Sequence, residues 1–186
     1  MIAFIDFEAS SLGDKSYPIE VAWIFEDGRS QSHLIKPTQD WTDWSDEAEN
    51  IHGISRDLLA SDGVSHVDVA QAMVESLAGH ALYASAPSWD GKWLSVLLRA
   101  AGLPRHALRL QDTEVALRDA VTPVLESIYP PKQLGDAIEQ LVAWATATKA
   151  ANPAHRALAD ATGELAVWQK AKDRALAIVA AHGAAR

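Results

Sequence analysis

The chain has 186 residues, 48% of them apolar and 22% charged, which is the balance of a soluble globular protein. It has no cysteine, so disulfides and thiolate-held metals are excluded, and no apolar run near the roughly 20 residues that span a bilayer. Its net charge of −9, from 25 acids against 16 bases, argues against a broad electrostatic grip on long nucleic acid. A small site that grips a phosphate through a bound cation remains compatible with that charge.

The start, MIAFIDFE, lacks a basic region and reaches an acid at position 6, so it reads as a strand rather than a secretory signal. Residues 2–7 are apolar nearly throughout, as expected for a buried and central strand. Strand alternation turns Asp6 and Glu8 to one face and Phe7 to the other. Next comes IEVAWIFEDGRSQSHLI, two β-rich halves around Asp27-Gly28, which predicts an antiparallel hairpin. The polar stretch PTQDWTDWSDEAENIHGIS reads as loop with short helical pieces.

In HVDVAQAMVESLAG the apolar positions 67, 69, 70, 73, 74 and 77 predict a helix that stops at Gly79. ALYAS is a short strand. SWDGKWLSVLLRAAGLP predicts a helix closed by Gly102 and Pro104, with Asp90 in its first turn and Ser88 as an alternative cap. HALRLQDT predicts a last strand. The remainder reads as helix interrupted at Tyr129-Pro130-Pro131 and Asn152-Pro153, ending in an alanine-rich helix over 153–182. The pattern β-β-β-α-β-α-β-α-α predicts one α/β domain over 1–186 with a mixed sheet.

Taken singly, the candidate residues are ambiguous. Asp6 and Glu8 fit a solvated strand end as well as a ligand pair, and Asp90 fits first-turn charge compensation at a helix N-terminus. His155 and Asp160 are five apart, about 140° around a regular helix. His155 is therefore expected in a loop or fraying first turn, with Asp160 fixed in the helix. Combined, four carboxylates reach towards the end of one central strand. Without cations they would repel and some would stay protonated. An all-oxygen set suits Mg²⁺ or Mn²⁺ and the grouping of two-metal phosphoryl transfer.

FIDFEASSLG, SAPSWDGKWL and HRALADA together resemble, in order and separation, the three motifs of the DEDD 3′–5′ exonucleases in their histidine-marked, DnaQ-like branch (DEDDh). NIHGIS resembles a further segment of that family, whose His-Gly lies beside the bound 3′ end. The resemblance runs from residue 4 to about 168, with the motif-bearing part at about 2–170 and the C-terminal helix reaching about 182. It departs from the family at Ser85, where an Asn is usual, and at Ala9-Ser10-Ser11-Leu12-Gly13, which replaces a Thr-Thr-Gly type of loop. Segment 113–152 carries none of its motifs.

The resemblance implies an RNase H-like mixed β-sheet with helices on both faces. It implies two Mg²⁺ or Mn²⁺ ions held by Asp6, Glu8, Asp90 and Asp160, with His155 accepting the proton of the attacking water. Ala9, Ser10, Ser11, Leu12 and His52 would bracket the terminal nucleotide. The implied substrate is the 3′ end of single-stranded DNA, RNA or a short oligonucleotide, the last being easiest to reconcile with −9. The alternative is a catalytically weak nucleic-acid-binding or regulatory module on the same fold. A cytoplasmic location without membrane attachment is expected, and dimers in the family leave a homodimer open.

Overall fold

The computed structural model describes residues 1–148 and 154–184. Three antiparallel strands come first: β1 (Ile2–Ala9), β2 (Pro18–Phe25) and β3 (Ser30–Lys36). Two short helices, α1 (Asp46–His52) and α2 (Arg56–Asp62), lead to a two-residue strand, β4 (Val64–Ser65), and helix α3 (His66–Leu77). Strand β5 (Ala81–Ala84), helix α4 (Pro87–Ala100) and strand β6 (Leu110–Asp112) follow. Helices α5 (Thr113–Leu125), α6 (Pro131–Ala147) and α7 (Ala157–Ala184) complete the chain.

The six strands form one mixed sheet in the order β4-β3-β2-β1-β5-β6. β1 is central, antiparallel to β2 and parallel to β5. Its alternation divides the protein into two layers. Ala3, Ile5, Phe7 and Ala9 pack with Val69, Met73, Trp93 and Leu97 of α3 and α4. Phe4 packs on the other face with Leu117, Val121, Leu141, Leu165 and Trp168 of α5, α6 and α7. Burying each such large apolar side chain stabilises the fold by about 1.5–3 kcal/mol, so both layers clamp β1. A smaller core of Tyr17, Ile19, Ile54 and Leu59 secures α1 and α2 to the sheet. None of the described helices is long and apolar enough to cross a membrane.

The strand and helix positions follow the predicted order, with three differences. The predicted strand over HALRLQDT contracts to Leu110–Asp112, because its partner β5 offers only Leu82–Ala84 for pairing. β4 has two residues, paired with Ile35 and Lys36, too few to leave a periodic signal. Ser88 does not cap α4; Pro87 starts the helix after Ala86, and Asp90 Oδ2 accepts the Ala86 N–H instead. The interruption expected at Asn152-Pro153 lies outside the described residues.

Gly63 joins α2 to β4 where the helix end touches β3. A Cβ there would lie 2.2 Å from the Leu59 carbonyl oxygen and 2.9 Å from the Lys36 nitrogen, both backbone atoms. Gly63→Ala is expected to cost about 1–3 kcal/mol, read as a lower urea midpoint at unchanged m.

β5 pairs with β1 only across Ile2–Phe4, while β2 follows β1 as far as Ala9. The last four residues of β1, Asp6 to Ala9, thus run past the end of β5 and have no strand partner on that edge. This notch holds the candidate site.

Candidate metal centre

Asp6 and Glu8 project from β1 towards α7, as alternation requires. Asp160, in the first turn of α7, meets them. One carboxylate oxygen from each of Asp6, Glu8 and Asp160 lies within 4.8 Å of the others, and all three residues are half-buried. Close packing of acids at a poorly hydrated strand end has a clear electrostatic consequence. Burial first, then the charges of Asp90, Glu8, Asp160 and Glu164, push Asp6 from 3.8 up to about 9. Burial and the Asp160 and Glu20 charges push Glu8 up to about 7, against the opposing pull of Arg156.

Asp90 arrives from the opposite layer. It is 3% exposed, lies outside that triplet, and enters the notch beside β1. The backbone N–H groups of Ala86 and Phe7 donate to its carboxylate, so the edge of β1 that β5 leaves unpaired orients it. Burial dominates over these bonds and pushes Asp90 up to about 7. Its charge is the strongest of the neighbouring charges acting on Asp6.

His155 sits just before α7, outside the helix, as its spacing from Asp160 predicted. Its φ of 52° is left-handed, a conformation that costs a residue with a Cβ about 1–2 kcal/mol. Both flanks are pinned. Ala154 N–H donates to Asp160 Oδ1 at 2.9 Å. On the other side, Arg156 donates from Nη2 to Glu20 Oε1 at 2.7 Å and from Nε to both Glu20 oxygens at 3.1 and 3.2 Å. Ala157 N–H donates to Glu20 Oε2 at 3.0 Å. Glu20 is 2% exposed and stands opposite Glu8 across the β1–β2 ladder. It ties the sheet to the start of α7 beside the acid cluster.

Two acids here are not evident from the sequence motifs. Glu20 has a weak signal, a lone acid inside the apolar strand PIEVAWIF. Glu164 has a better one: it lies four residues after Asp160, on the same helix face. Glu164 is buried, and its charge raises both Asp6 and Asp90.

The predicted substrate contacts fall into two groups. His52 ends α1 and is 6% exposed. Its Nδ1 accepts the Ile54 N–H at 3.0 Å, so Nε2 carries the hydrogen of the neutral ring. Nε2 is buried without a hydrogen-bond partner among the described residues, and burial holds the ring below its usual pKa. In the loop after Glu8, Ser10 Oγ accepts the Tyr17 N–H at 3.1 Å, while Ser11 Oγ donates to Asp43 and accepts the Gly13 N–H. Both hydroxyls therefore shape the loop. Ala9 is buried and Leu12 is 72% exposed. Trp93 is core, its Nε1 donating to Ser16, and the more exposed Trp89 lies against it.

Neither a protein-family model nor a curated protein matches the sequence. Solved structures do match. The zinc-bound form of the E. coli exonuclease I–single-stranded DNA complex superposes with a TM-score of 0.65 at 20% identity. That match covers 93% of this chain and 40% of that one, and the same figures hold for exonuclease I of Methylocaldum szegediense. E. coli exonuclease I in complex with a dT13 oligonucleotide gives 0.62 at 18% identity, covering 91% and 40%. The fold is that of one part of exonuclease I. It is an RNase H-like exonuclease fold, spanning about 40% of the exonuclease I chains it resembles. At this identity exonuclease I establishes the fold, and the chemistry rests on the side chains themselves.

Those side chains suit a divalent cation. The donors are carboxylates without thiolate, matching hard, oxygen-seeking ions such as Mg²⁺ or Mn²⁺. Three acid oxygens within 4.8 Å and a fourth acid close by are electrostatically costly in the bare protein. A bound cation reverses that cost.

Proposed function

We propose that the protein is a metal-dependent 3′–5′ exonuclease of the DEDDh type, hydrolysing phosphodiester bonds at the 3′ end of single-stranded DNA, RNA or short oligonucleotides. The observation that carries this reading is the convergence of Asp6, Glu8 and Asp160 within 4.8 Å on the exonuclease I fold. Complexes of exonuclease I with single-stranded DNA and with dT13 support it further.

In this reading Asp6, Glu8, Asp90 and Asp160 hold two Mg²⁺ or Mn²⁺ ions. When bound, such ions supply an acidified water and charge compensation at the leaving 3′ oxygen. His155 would take the proton of the attacking water, since an imidazole nitrogen can accept a proton from water and pass it on. The Glu20–Arg156 pair and the Asp160–Ala154 bond hold the chain on both sides of His155 in its left-handed conformation. His52 offers its buried Nε2–H to the terminal nucleotide, which would give that donor its missing acceptor. Leu12 offers an exposed apolar face to the terminal base, and the backbone from Ala9 to Ser11 borders the sugar. A cytoplasmic location belongs to the same proposal, in keeping with the lack of cysteine.

The test uses 5′-labelled single-stranded DNA and RNA with Mg²⁺ or Mn²⁺, or with EDTA. Wild type is expected to give a ladder shortening from the 3′ end only when the cation is present. Asp6→Asn should give none. His155→Ala should lower kcat by about 10²–10⁴-fold while cation affinity stays unchanged. Strand binding without shortening would replace the enzyme with a binding module, and shortening that persists in Asp6→Asn would remove the acids from the chemistry.

A further inference from the structure

The net charge of −9 is unevenly distributed. Residues 91–111 hold four of the 16 bases, Lys92, Arg99, Arg105 and Arg109, together with His106, and none of the 25 acids. The rest of the chain therefore sets 12 bases against those 25 acids. The other long acid-free stretch, 140–159, holds only two bases, Lys149 and Arg156, so 91–111 is the more basic of the two.

Folding concentrates part of this charge. Arg105, His106 and Arg109, all exposed, line an open groove of about 440 Å³ beside α4, whose facing wall includes Gly91 and Ser95. Gly91 directly follows Asp90, and a Cβ built on it meets nothing within 4 Å, so the groove is open at this wall. The arginines here also differ from others in the protein. Arg29, Arg118 and Arg156 are each paired with an acid, whereas among the described residues no acid lies within salt-bridge distance of Arg99, Arg105 or Arg109. Arg105 Nε donates to His106 Nε2 at 2.9 Å, which directs the guanidinium without neutralising it. Lys92 is engaged elsewhere, with Nζ bonded to Gly13 O at 2.7 Å and Ser16 Oγ at 3.0 Å. The groove thus offers two uncompensated guanidinium forks, the group best shaped for bidentate contact with phosphate.

We propose that this groove binds the phosphate backbone of the nucleic-acid strand upstream of its 3′ end. The assignment rests on the exonuclease reading above and extends it, from a site that sees only the terminal nucleotide to one that favours longer strands. Continuity through Gly91 and Asp90 favours a strand whose end lies in the acid centre. The acidic remainder of the surface would then discourage other placements of the same polyanion.

The experiment measures fluorescence anisotropy of a labelled oligothymidylate of about 20 nucleotides and of a trinucleotide, in Ca²⁺, over a range of salt. Arg105→Glu/Arg109→Glu is compared with wild type and with Arg105→Lys/Arg109→Lys. The expected result is weaker binding of the long strand by the Glu variant, with a log Kd–log salt slope shallower by about 1.4, at about 0.7 per phosphate lost. Trinucleotide affinity should change less than about twofold, and the Lys variant should keep most of the slope. An unchanged slope, or an equal loss for trinucleotide and long strand, overturns the proposal. If the slopes differ as expected while wild type shortens neither strand in Mg²⁺, the groove stands and the exonuclease reading falls. Shortening with no slope difference leaves the exonuclease standing and removes the groove.

Discussion

Asp6→Asn is expected to raise the melting temperature of the cation-free protein while abolishing both its stabilisation by Mn²⁺ and the hydrolysis of nucleic acid proposed above. The folded state holds Asp6 at about 9 against an ordinary 3.8, so it keeps a proton that the unfolded chain releases. A raised acid contributes stability that is fully present below its unfolded value and is lost as pH rises through its folded value. Asp6 therefore makes the cation-free protein less stable across the whole range from about pH 4 to 9, and Glu8 and Asp90 add to the loss up to about pH 7. Each pH unit over which one such proton is retained corresponds to about 1.4 kcal/mol.

The cation-free wild type should thus melt at progressively lower temperature from about pH 6 to pH 9, and Asp6→Asn should show a flatter profile. Mn²⁺ acts in the opposite sense. A ligand that binds only the folded state stabilises it by mass action, and here it must displace the retained protons. Its gain in melting temperature should be larger at about pH 9 than at pH 6 in wild type and absent from the variant. Thermal melts at several pH values, with EDTA or Mn²⁺, check all three statements. A variant less stable than wild type in EDTA would contradict net repulsion among these acids.

Arg156→Ala should destabilise the protein by about 3–5 kcal/mol, and Glu20→Gln by distinctly less. The two partners are unequal: the Glu20 side chain is 2% exposed and that of Arg156 is 53% exposed. Removing Arg156 strands a buried carboxylate opposite Glu8, with the Ala157 N–H still donating to it. Glu20→Gln leaves a carbonyl for Ala157 N–H and an arginine that water can reach. Denaturant midpoints of the two variants check this, and a larger loss in Glu20→Gln would contradict it. Arg156→Ala should also lower kcat, since the left-handed turn at His155 loses one of its two anchors. It should push Glu8 further up, because Arg156 is the charge that draws it down.

Much of the architecture is legible in the sequence for local reasons. The unbroken apolar character of residues 2–7 marks a central strand, and period-two alternation places Asp6 and Glu8 together on the face opposite Phe7. Asp90 in the first turn of α4 follows from helix spacing, and His155 ahead of a helix bearing Asp160 follows from their separation of five positions. What stays hidden depends on distant partners. Glu20 and Arg156 are 136 residues apart, and no local pattern reports such a pair. HALRLQDT reads as a longer strand than the one that forms, because β-propensity carries no information about the length of β5. The Ser10 and Ser11 hydroxyls look available to a substrate, yet Tyr17, Gly13 and Asp43 occupy them. Average charge conceals the basic flank of α4, which emerges only when residues 91–111 are taken alone.

All of this chemistry depends on one property, that the acids around Asp6 form a divalent-cation site rather than a merely crowded strand end. Calorimetric titration of Mn²⁺ into wild type and Asp6→Asn at about pH 8, repeated in buffers of different ionisation enthalpy, measures it directly. Saturable binding by wild type with release of protons, and loss of both in Asp6→Asn, is the predicted result. Equal Mn²⁺ affinity and stoichiometry in the two proteins would contradict it.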